Sequence, residues 1–382
     1  MGRNKVISTL FILAGEPSGD VIGATFLRKL RDRREVVTSG VGGPEMQSAG
    51  LKSIFPMEDL SVMGFADVAL RLPFLLWRIE QTVRRIISEN SDVVLLIDSQ
   101  VFSAMVAKKL RQRGFVKPII LYVAPAVWAW KPERAPKLKA LYNEILAVLP
   151  FEPEAMQRLG GPPTSYVGHP ATEQIIGMVE RPTTRRVGKI ALLPGSRRGE
   201  VRRHTPVCKE IAETLIAHKQ VSGFFLPTLP HLVPHVREHI ASWSVDVEVI
   251  SDIQLRRKSL EKAAAAIATA GTITLELALA SVPHVGTYVP DKWQMKAFQT
   301  AGEPMISLAN NILGQALVPE IFPGENHADR VSKSVIALLE DEDALKKQLD
   351  GFEEIRRRMK TGESGVGKQD AVDRVLSYFP TG

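Results

Sequence analysis

The chain has 382 residues, 45% hydrophobic and 24% charged. That composition excludes a disordered or low-complexity protein, and at roughly 150 residues per domain the length predicts two domains with sizeable cores. A single cysteine, Cys208, excludes an intrachain disulfide and any Cys-cluster metal site, and suits a reducing compartment.

The net charge of +7 is uneven: residues 1–170 hold 22 Lys and Arg against 16 Asp and Glu, and the remainder 27 against 26. Such a surplus in the first half suits an anionic partner, phospholipid headgroups or nucleic acid. No RNA-binding signature, zinc knuckle or aromatic-basic interleave supports nucleic acid. No uncharged run reaches the roughly 18 residues that span a bilayer.

At the start, Met1-Gly2-Arg3-Asn4-Lys5 precedes an apolar run from Val6 to Gly15. The run is short, lacks a clear small-x-small cleavage site and feeds into Glu16-Pro17-Ser18-Gly19-Asp20, so it reads as a first strand and not as a signal peptide. Strands are expected at Val6–Leu13, Val36–Ser39, Val93–Ile97, Pro118–Val123 and Ile145–Leu149, with helical patterns between several of them. A second series begins at Ile190 and continues at Gly223–Leu226, Val245–Ile250, Ala264–Thr269 and Pro283–Tyr288. Strands alternating with helices predict parallel sheets covered on both faces, hence two Rossmann-like domains facing a cleft. Domains are expected at residues 1–170 and 189–340, a linker rich in Pro, Gly, Thr and Arg at 171–188, and charged amphipathic helices at 341–382.

No Gly-x-Gly-x-x-Gly follows the first strand and no Walker-type Gly-Lys-Ser/Thr turn occurs, which disfavours a dinucleotide cofactor and ATP hydrolysis. The segment from Leu60-Ser61-Val62-Met63-Gly64-Phe65 through Leu72-Pro73-Phe74-Leu75-Leu76-Trp77-Arg78 is unusually apolar and aromatic, with Arg71, Arg78, Arg84 and Arg85 around it. Taken alone it is either a buried helix following Pro73 or a surface for a membrane interface. Asp98 ends an apolar strand, where it is either a helix cap or a general base. Trp128 and Trp130 follow another strand, as a stacking wall for a sugar or acyl chain requires. His169 stands at the domain connection as a local hydrogen-bonding group or a cleft residue.

The strand from Ile190 runs into Pro194-Gly195-Ser196-Arg197-Arg198 and then a helix whose apolar face includes Cys208, Ile211, Ala212, Leu215 and Ile216. Free amides and the dipole at such a helix start attract phosphate, and arginine adds bidentate donors. Ala266 to Leu279 repeats the design: a small-residue strand, then Gly271, Thr272, Thr274 and Glu276 at a helix start. Two such turns at one sheet edge fit a diphosphate, with the carboxylate a turn further on accepting ribose hydroxyls. Glu276 also fits the ordinary preference of acids for helix N-termini.

Ala14-Gly15-Glu16-Pro17-Ser18-Gly19-Asp20, Gly42-Gly43-Pro44, Val62-Met63-Gly64, Ile97-Asp98, Tyr122-Val123 through Trp128-Ala129-Trp130, Leu149-Pro150-Phe151-Glu152, Val167-Gly168-His169, Leu193 to Arg197 and Gly271-Thr272 through Glu276 occur in one order. Together they resemble the lipid-A-disaccharide synthase family, similar in design to the peptidoglycan transferase that makes lipid II. The resemblance implies a GT-B fold, no cofactor and no obligatory metal. It implies that UDP-2,3-diacylglucosamine and 2,3-diacylglucosamine 1-phosphate (lipid X) are joined by a β-1,6 bond with inversion, releasing UDP. Asp98 becomes the implied base, Arg197 with Gly195, Ser196, Gly271, Thr272 and Thr274 the diphosphate site, and Glu276 the ribose acceptor. Ser18, Met63, Trp128, Trp130 and His169 become implied substrate contacts. The segment around residues 62–77 is then implied to meet acyl chains on the anionic cytoplasmic face of the inner membrane, as a peripheral protein. The sequence leaves the oligomeric state open, a homo-oligomer included.

Three departures stand out, one of them Ala309 in place of a common Pro in Ser307-Leu308-Ala309-Asn310. Ser99-Gln100-Val101-Phe102-Ser103 follows Asp98 where the family usually has a small residue and then Pro-Asp-Phe, so a second carboxylate is missing, and Ala270 stands where Ser is usual. They keep open a transferase with another acceptor, or a protein that binds UDP-sugar or lipid without turnover.

Overall fold

The computed structural model describes residues 8–60, 65–129, 131–169, 172, 187–269, 271–300, 302–363 and 366–380. The expected linker at 171–188 falls almost wholly outside them, as do Met63, Trp130 and Ala270. The chain forms two compact units, residues 1–170 with 361–382, and residues 171–360.

The main sheet of the first unit has six strands: β1 (Ser8–Ala14), β2 (Val36–Val41), β3 (Val93–Ile97), β4 (Ile119–Tyr122), β5 (Glu144–Ala147) and β6 (Thr164–Tyr166). They pair in the order β2-β1-β3-β4-β5-β6, every pair parallel. Its helices are α1 (Pro17–Arg31), α2 (Pro44–Ser48), α3 (Phe65–Ser88), α4 (Gln100–Gln112), α5 (Ala135–Leu138) and α6 (Glu152–Arg158). Strands buried on both faces read as unbroken apolar runs, as β3 does with Val93-Val94-Leu95-Leu96-Ile97 wholly buried. One face, through Phe11, Leu13, Val94, Leu96 and Leu121, packs with Ile79, Val83 and Ile86 of α3 and Val106 and Leu110 of α4. Helix α3 runs through Pro73, since burial of that apolar stripe outweighs the one backbone bond a proline forfeits. The edge strand β6, three residues long, is too short to leave a periodic signal.

The second unit repeats the plan with β7 (Gly188–Leu193), β8 (Val221–Pro227), β9 (Val247–Ile250), β10 (Ala265–Ala268), β11 (His284–Thr287) and β12 (Glu320–Ile321). Their order is β12-β11-β10-β7-β8-β9, again all parallel. Its helices are α7 (Arg198–Leu215), α8 (Val233–Ile240), α9 (Ile253–Lys262), α10 (Thr272–Leu279), α11 (Lys292–Thr300), α12 (Leu308–Leu313), α13 (His327–Glu340) and α14 (Glu342–Thr361). Cys208 is buried in the core that Ile190, Leu192 and Phe224 share with Ile211 and Leu215 of α7.

From Thr361 the chain belongs to the first unit and ends in α15 (Ala371–Leu376). Arg374 reaches the buried Glu144 of β5 at 2.9 Å, Glu144 also accepts the Ser165 hydroxyl at 2.6 Å, and Arg33, just after α1, pairs with Asp370 and Asp373. Gln369 N–H donates to the Tyr166 carbonyl at 2.8 Å, so the tail is bound to the β6 edge.

Asp20 organises the first unit locally. Its buried carboxylate accepts the Gly43 N–H at 2.8 Å, Glu45 N–H at 2.9 Å and Met46 N–H at 3.0 Å, capping α2 from α1. A Cβ on Gly43 would lie 2.5 Å from that carboxylate, which explains the glycine. Replacing Asp20 by Ala strands three amides, so it is expected to destabilise the first unit by about 3 kcal/mol, with Asp20→Asn milder. Urea unfolding followed by circular dichroism checks this; a loss under about 1 kcal/mol would show that water replaces the carboxylate.

Candidate functional site

Within each sheet the strand order reverses direction once, between β1 and β3 and between β7 and β10. In open parallel sheets the loops leaving such a pair diverge to opposite faces and leave a crevice at the carboxyl ends. The turns singled out in the sequence lie at these two positions.

In the first unit, Gly15 and Glu16 join β1 to α1, which opens with Pro17 and Ser18, and the loop after β3 holds Asp98 and Ser99. Asp98 and Ser99 both have left-handed backbones, φ +52° and +43°. Val123, after β4, has φ +77°, an outlier for a β-branched residue. Conformations of this kind cost on the order of 1–3 kcal/mol each and cluster where a backbone is held for function. Several bonds hold this one: Asp98 N–H to the Tyr122 carbonyl at 2.9 Å, Val123 N–H to the Leu146 carbonyl at 2.9 Å, and the Ser103 hydroxyl to the Asp98 carbonyl at 2.8 Å. A Cβ at Gly15 would come within 2.3 Å of Ser99 Oγ, so the two loops meet without room for a side chain. The Ser18 hydroxyl lies beside the Asp98 carboxylate. Burial raises the Asp98 pKa above the ordinary value, while the nearby Ser99 N–H and Ser18 hydroxyl, which favour the charged form, oppose the rise.

Trp128 is half-buried, stacked edge-on against Phe151 at 4.8 Å, and its indole N–H donates to Glu152 at 3.3 Å. Glu152 also accepts the Leu149 N–H at 3.0 Å, so the Trp loop and the Leu149-Pro150-Phe151-Glu152 segment form one assembly. His169 follows β6, and burial lowers its pKa to about 4, which keeps it neutral at pH 7.

In the second unit, Gly195 has φ +119° and its absent side chain makes room for Glu200. The Glu200 carboxylate accepts the Ser196 N–H at 2.9 Å and the Arg197 N–H at 3.2 Å, and pairs with the Arg197 guanidinium at 3.2 Å. The amides expected to receive phosphate are therefore occupied by an internal carboxylate, while the Arg197 side chain is 73% exposed. At the neighbouring strand end, Gly271 has φ +109° and precedes α10, whose start carries no side-chain cap. Thr272 is exposed there. The Thr274 hydroxyl is committed inside the fold, donating to the Gly271 carbonyl at 2.9 Å and accepting the Leu308 N–H at 3.1 Å. Ser307, bridged to Gly271, is 1% exposed, and its hydroxyl has no hydrogen-bond partner among the described residues. Burial raises the Glu276 pKa and the nearby Arg256 opposes it; Arg256 Nε is likewise buried without a hydrogen-bond partner among the described residues.

The structure thus brings Ser18 to Asp98, gathers Gly195, Ser196 and Arg197 around Glu200, and sets Gly271, Thr272, Thr274 and Glu276 along one helix start. Sequence reasoning missed the anchoring parts of Asp20, Glu152 and Glu200; a carboxylate three residues into a helix, as Glu200 is, was the one available signal.

Residues 10–371 match the family model for LpxB, lipid-A-disaccharide synthetase. The chain is 39% identical over 386 residues to the lipid-A-disaccharide synthase of Rhodopseudomonas palustris CGA009, covering 98% of this chain and 97% of that protein. It is 37% identical over 379 residues to that of Nitrobacter hamburgensis X14, covering 96% and 94%. Among solved structures, the glycotransferase of kitacinnamycin superposes with a TM-score of 0.62 at 16% identity, covering 98% of this chain and all of that one. UDP-GlcNAc 2-epimerase from Neisseria meningitidis gives 0.59 at 13% identity, covering 97% and 98%. At such identities the likeness bears on the fold alone, two parallel-sheet units of GT-B type.

Burial pushes Glu152 up to about 7 from the usual 4.5. Between those values the folded chain holds a proton that the unfolded chain has released, so this residue's contribution to stability falls as pH rises. Glu152→Gln is expected to carry a fixed cost for one lost acceptor and, against it, a relative gain of about 2 kcal/mol between pH 5 and pH 8. Urea unfolding of both proteins across that range measures it, and a pH-independent difference would place the titration elsewhere.

Proposed function

Because the chain belongs to the lipid-A-disaccharide synthetase family, we propose that it transfers the diacylated glucosamine of UDP-2,3-diacylglucosamine to the 6-hydroxyl of 2,3-diacylglucosamine 1-phosphate, with inversion and release of UDP. The observation that carries the assignment of roles is Asp98, a desolvated carboxylate on a doubly strained turn where the first sheet reverses its order.

Asp98 is the general base. Inversion requires a proton acceptor on the side of the sugar away from the leaving group, and a carboxylate raised toward neutral pH accepts that proton more readily than an ordinary one. Ser18 positions it. The departing diphosphate gains one negative charge, on the oxygen that leaves the sugar, and this must be met without reorganisation. Arg197, exposed and held at its root by Glu200, supplies the cation. The uncapped start of α10 supplies the dipole, and Gly271 and the Thr272 hydroxyl line its approach. Thr274 fixes that helix start from within. Glu276, a turn further on, accepts ribose hydroxyls. Gly195 and Ser196 shape the Arg197 turn, while Trp128, Trp130, His169 and Met63 belong to the substrate-binding set.

The acyl chains suggest where this happens. On α3, Leu72, Phe74, Leu76 and Trp77 are exposed, the last at 53%. Arg78 lies over the rings of both Trp77 and Phe74. No described helix is long and apolar enough to cross a membrane. An apolar face rimmed by arginines suits an interface between acyl tails and anionic headgroups, so the protein works on the cytoplasmic face of the inner membrane.

Incubation with both diacylated sugars while UDP release is followed tests the reaction. Asp98→Asn is expected to lower kcat by about 100-fold or more with UDP affinity retained, and Glu276→Gln to raise KM for the UDP-sugar with a smaller change in kcat. An Asp98→Asn rate within about threefold of the parent would remove Asp98 as base. For the membrane face, Trp77→Asp is expected to weaken sedimentation with phosphatidylglycerol-containing vesicles about tenfold while unfolding is unchanged; equal sedimentation would exclude this face.

A further inference from the structure

Helix α8 carries His235, Glu238 and His239, spaced so that all three share one face. One potential ligand atom from each lies within 4.8 Å of the other two. The imidazole centroids are 4.3 Å apart with planes at 63°, and Glu238 approaches His235 Nδ1 to 3.9 Å.

The second nitrogen of each ring is already tied to backbone. His235 Nε2 meets the Arg198 carbonyl at 3.2 Å, and His239 Nδ1 meets the His235 carbonyl at 2.9 Å. A carbonyl only accepts, so both nitrogens carry protons, and the lone pairs are left on His235 Nδ1 and His239 Nε2. Metal-binding imidazoles are held in this way, one nitrogen fixed by a carbonyl or carboxylate so that the other faces the ion. The sugar-transfer chemistry assigned above makes no use of the three side chains.

We propose that His235, Glu238 and His239 form a binding site for a divalent transition-metal ion, filled best by Zn²⁺. Two imidazoles and a carboxylate suit zinc, whereas Mg²⁺ and Ca²⁺ favour all-oxygen sets. Three protein ligands leave a fourth position open to water or an external donor. Through the Arg198 carbonyl the site also fastens α8 to the first residue of α7, immediately after the Arg197 turn.

The test is titration of the full-length, tag-free protein, stripped of metal, with Zn²⁺ alone by isothermal calorimetry. One equivalent is expected to bind with Kd below about 100 µM, unaffected by a hundredfold excess of Mg²⁺. His239→Asn keeps an N–H donor for the His235 carbonyl while removing a ligand, so it is expected to weaken binding at least about tenfold. Glu238→Gln should weaken it in the same direction, with circular dichroism of both variants matching the parent. Binding weaker than about 1 mM, or equal affinity in parent and His239→Asn, would overturn the site.

Discussion

A parallel sheet whose strand order turns back on itself cannot cover both of the loops that leave the turning point. The crossover from β1 goes one way and that from β3 the other, as do those from β7 and β10, so each sheet has one gap where backbone amides and strand-end side chains face outward. The residues proposed for proton transfer and for the diphosphate stand at those two gaps: Ser18 and Asp98 in the first unit, the Gly195-Ser196-Arg197 turn and the Gly271 helix start in the second. The rest of each sheet, apolar on both faces, serves to hold these loops still.

Acidic residues are divided between two tasks by how completely their oxygens are used. Asp20 takes three amides, Glu200 two amides and a guanidinium, and Glu152 an amide and an indole. Such groups fasten loops and have little capacity left for a ligand. Asp98 and Glu276 are desolvated with fewer internal partners, which raises the proton affinity of both. A buried carboxylate with spare lone pairs is costly unless a ligand uses it. The Ser307 hydroxyl and Arg256 Nε are likewise buried without a hydrogen-bond partner among the described residues.

Glu200 bears on the diphosphate site proposed for the second unit. An amide nest at a helix start attracts any anion, and here the chain's own carboxylate fills it. In the proposed site the charge for an incoming ligand comes instead from the Arg197 guanidinium, which pairs with Glu200 and is 73% exposed, and from the neighbouring uncapped α10.

Residue pattern alone determined the alternation of strands and helices, because strands buried on both faces must be apolar throughout and turns between them must be rich in Gly and Pro. It also located Asp98 and the two glycine turns, since a strand's end and a helix's start are both visible in sequence. Tertiary structure alone decided which carboxylates were consumed: Asp20 reaches amides 23 to 26 residues away and Glu144 a guanidinium 230 residues away, distances at which periodicity carries no information. It decided, too, that residues 361–382 return to the first unit, that Thr274 is spent on the Leu308 amide, and that β6 and β12 exist, being too short to announce themselves. The physical reason is common to all of these: a hydrogen bond is specified by where two groups meet in space, and a chain's local pattern specifies only which groups are available to meet.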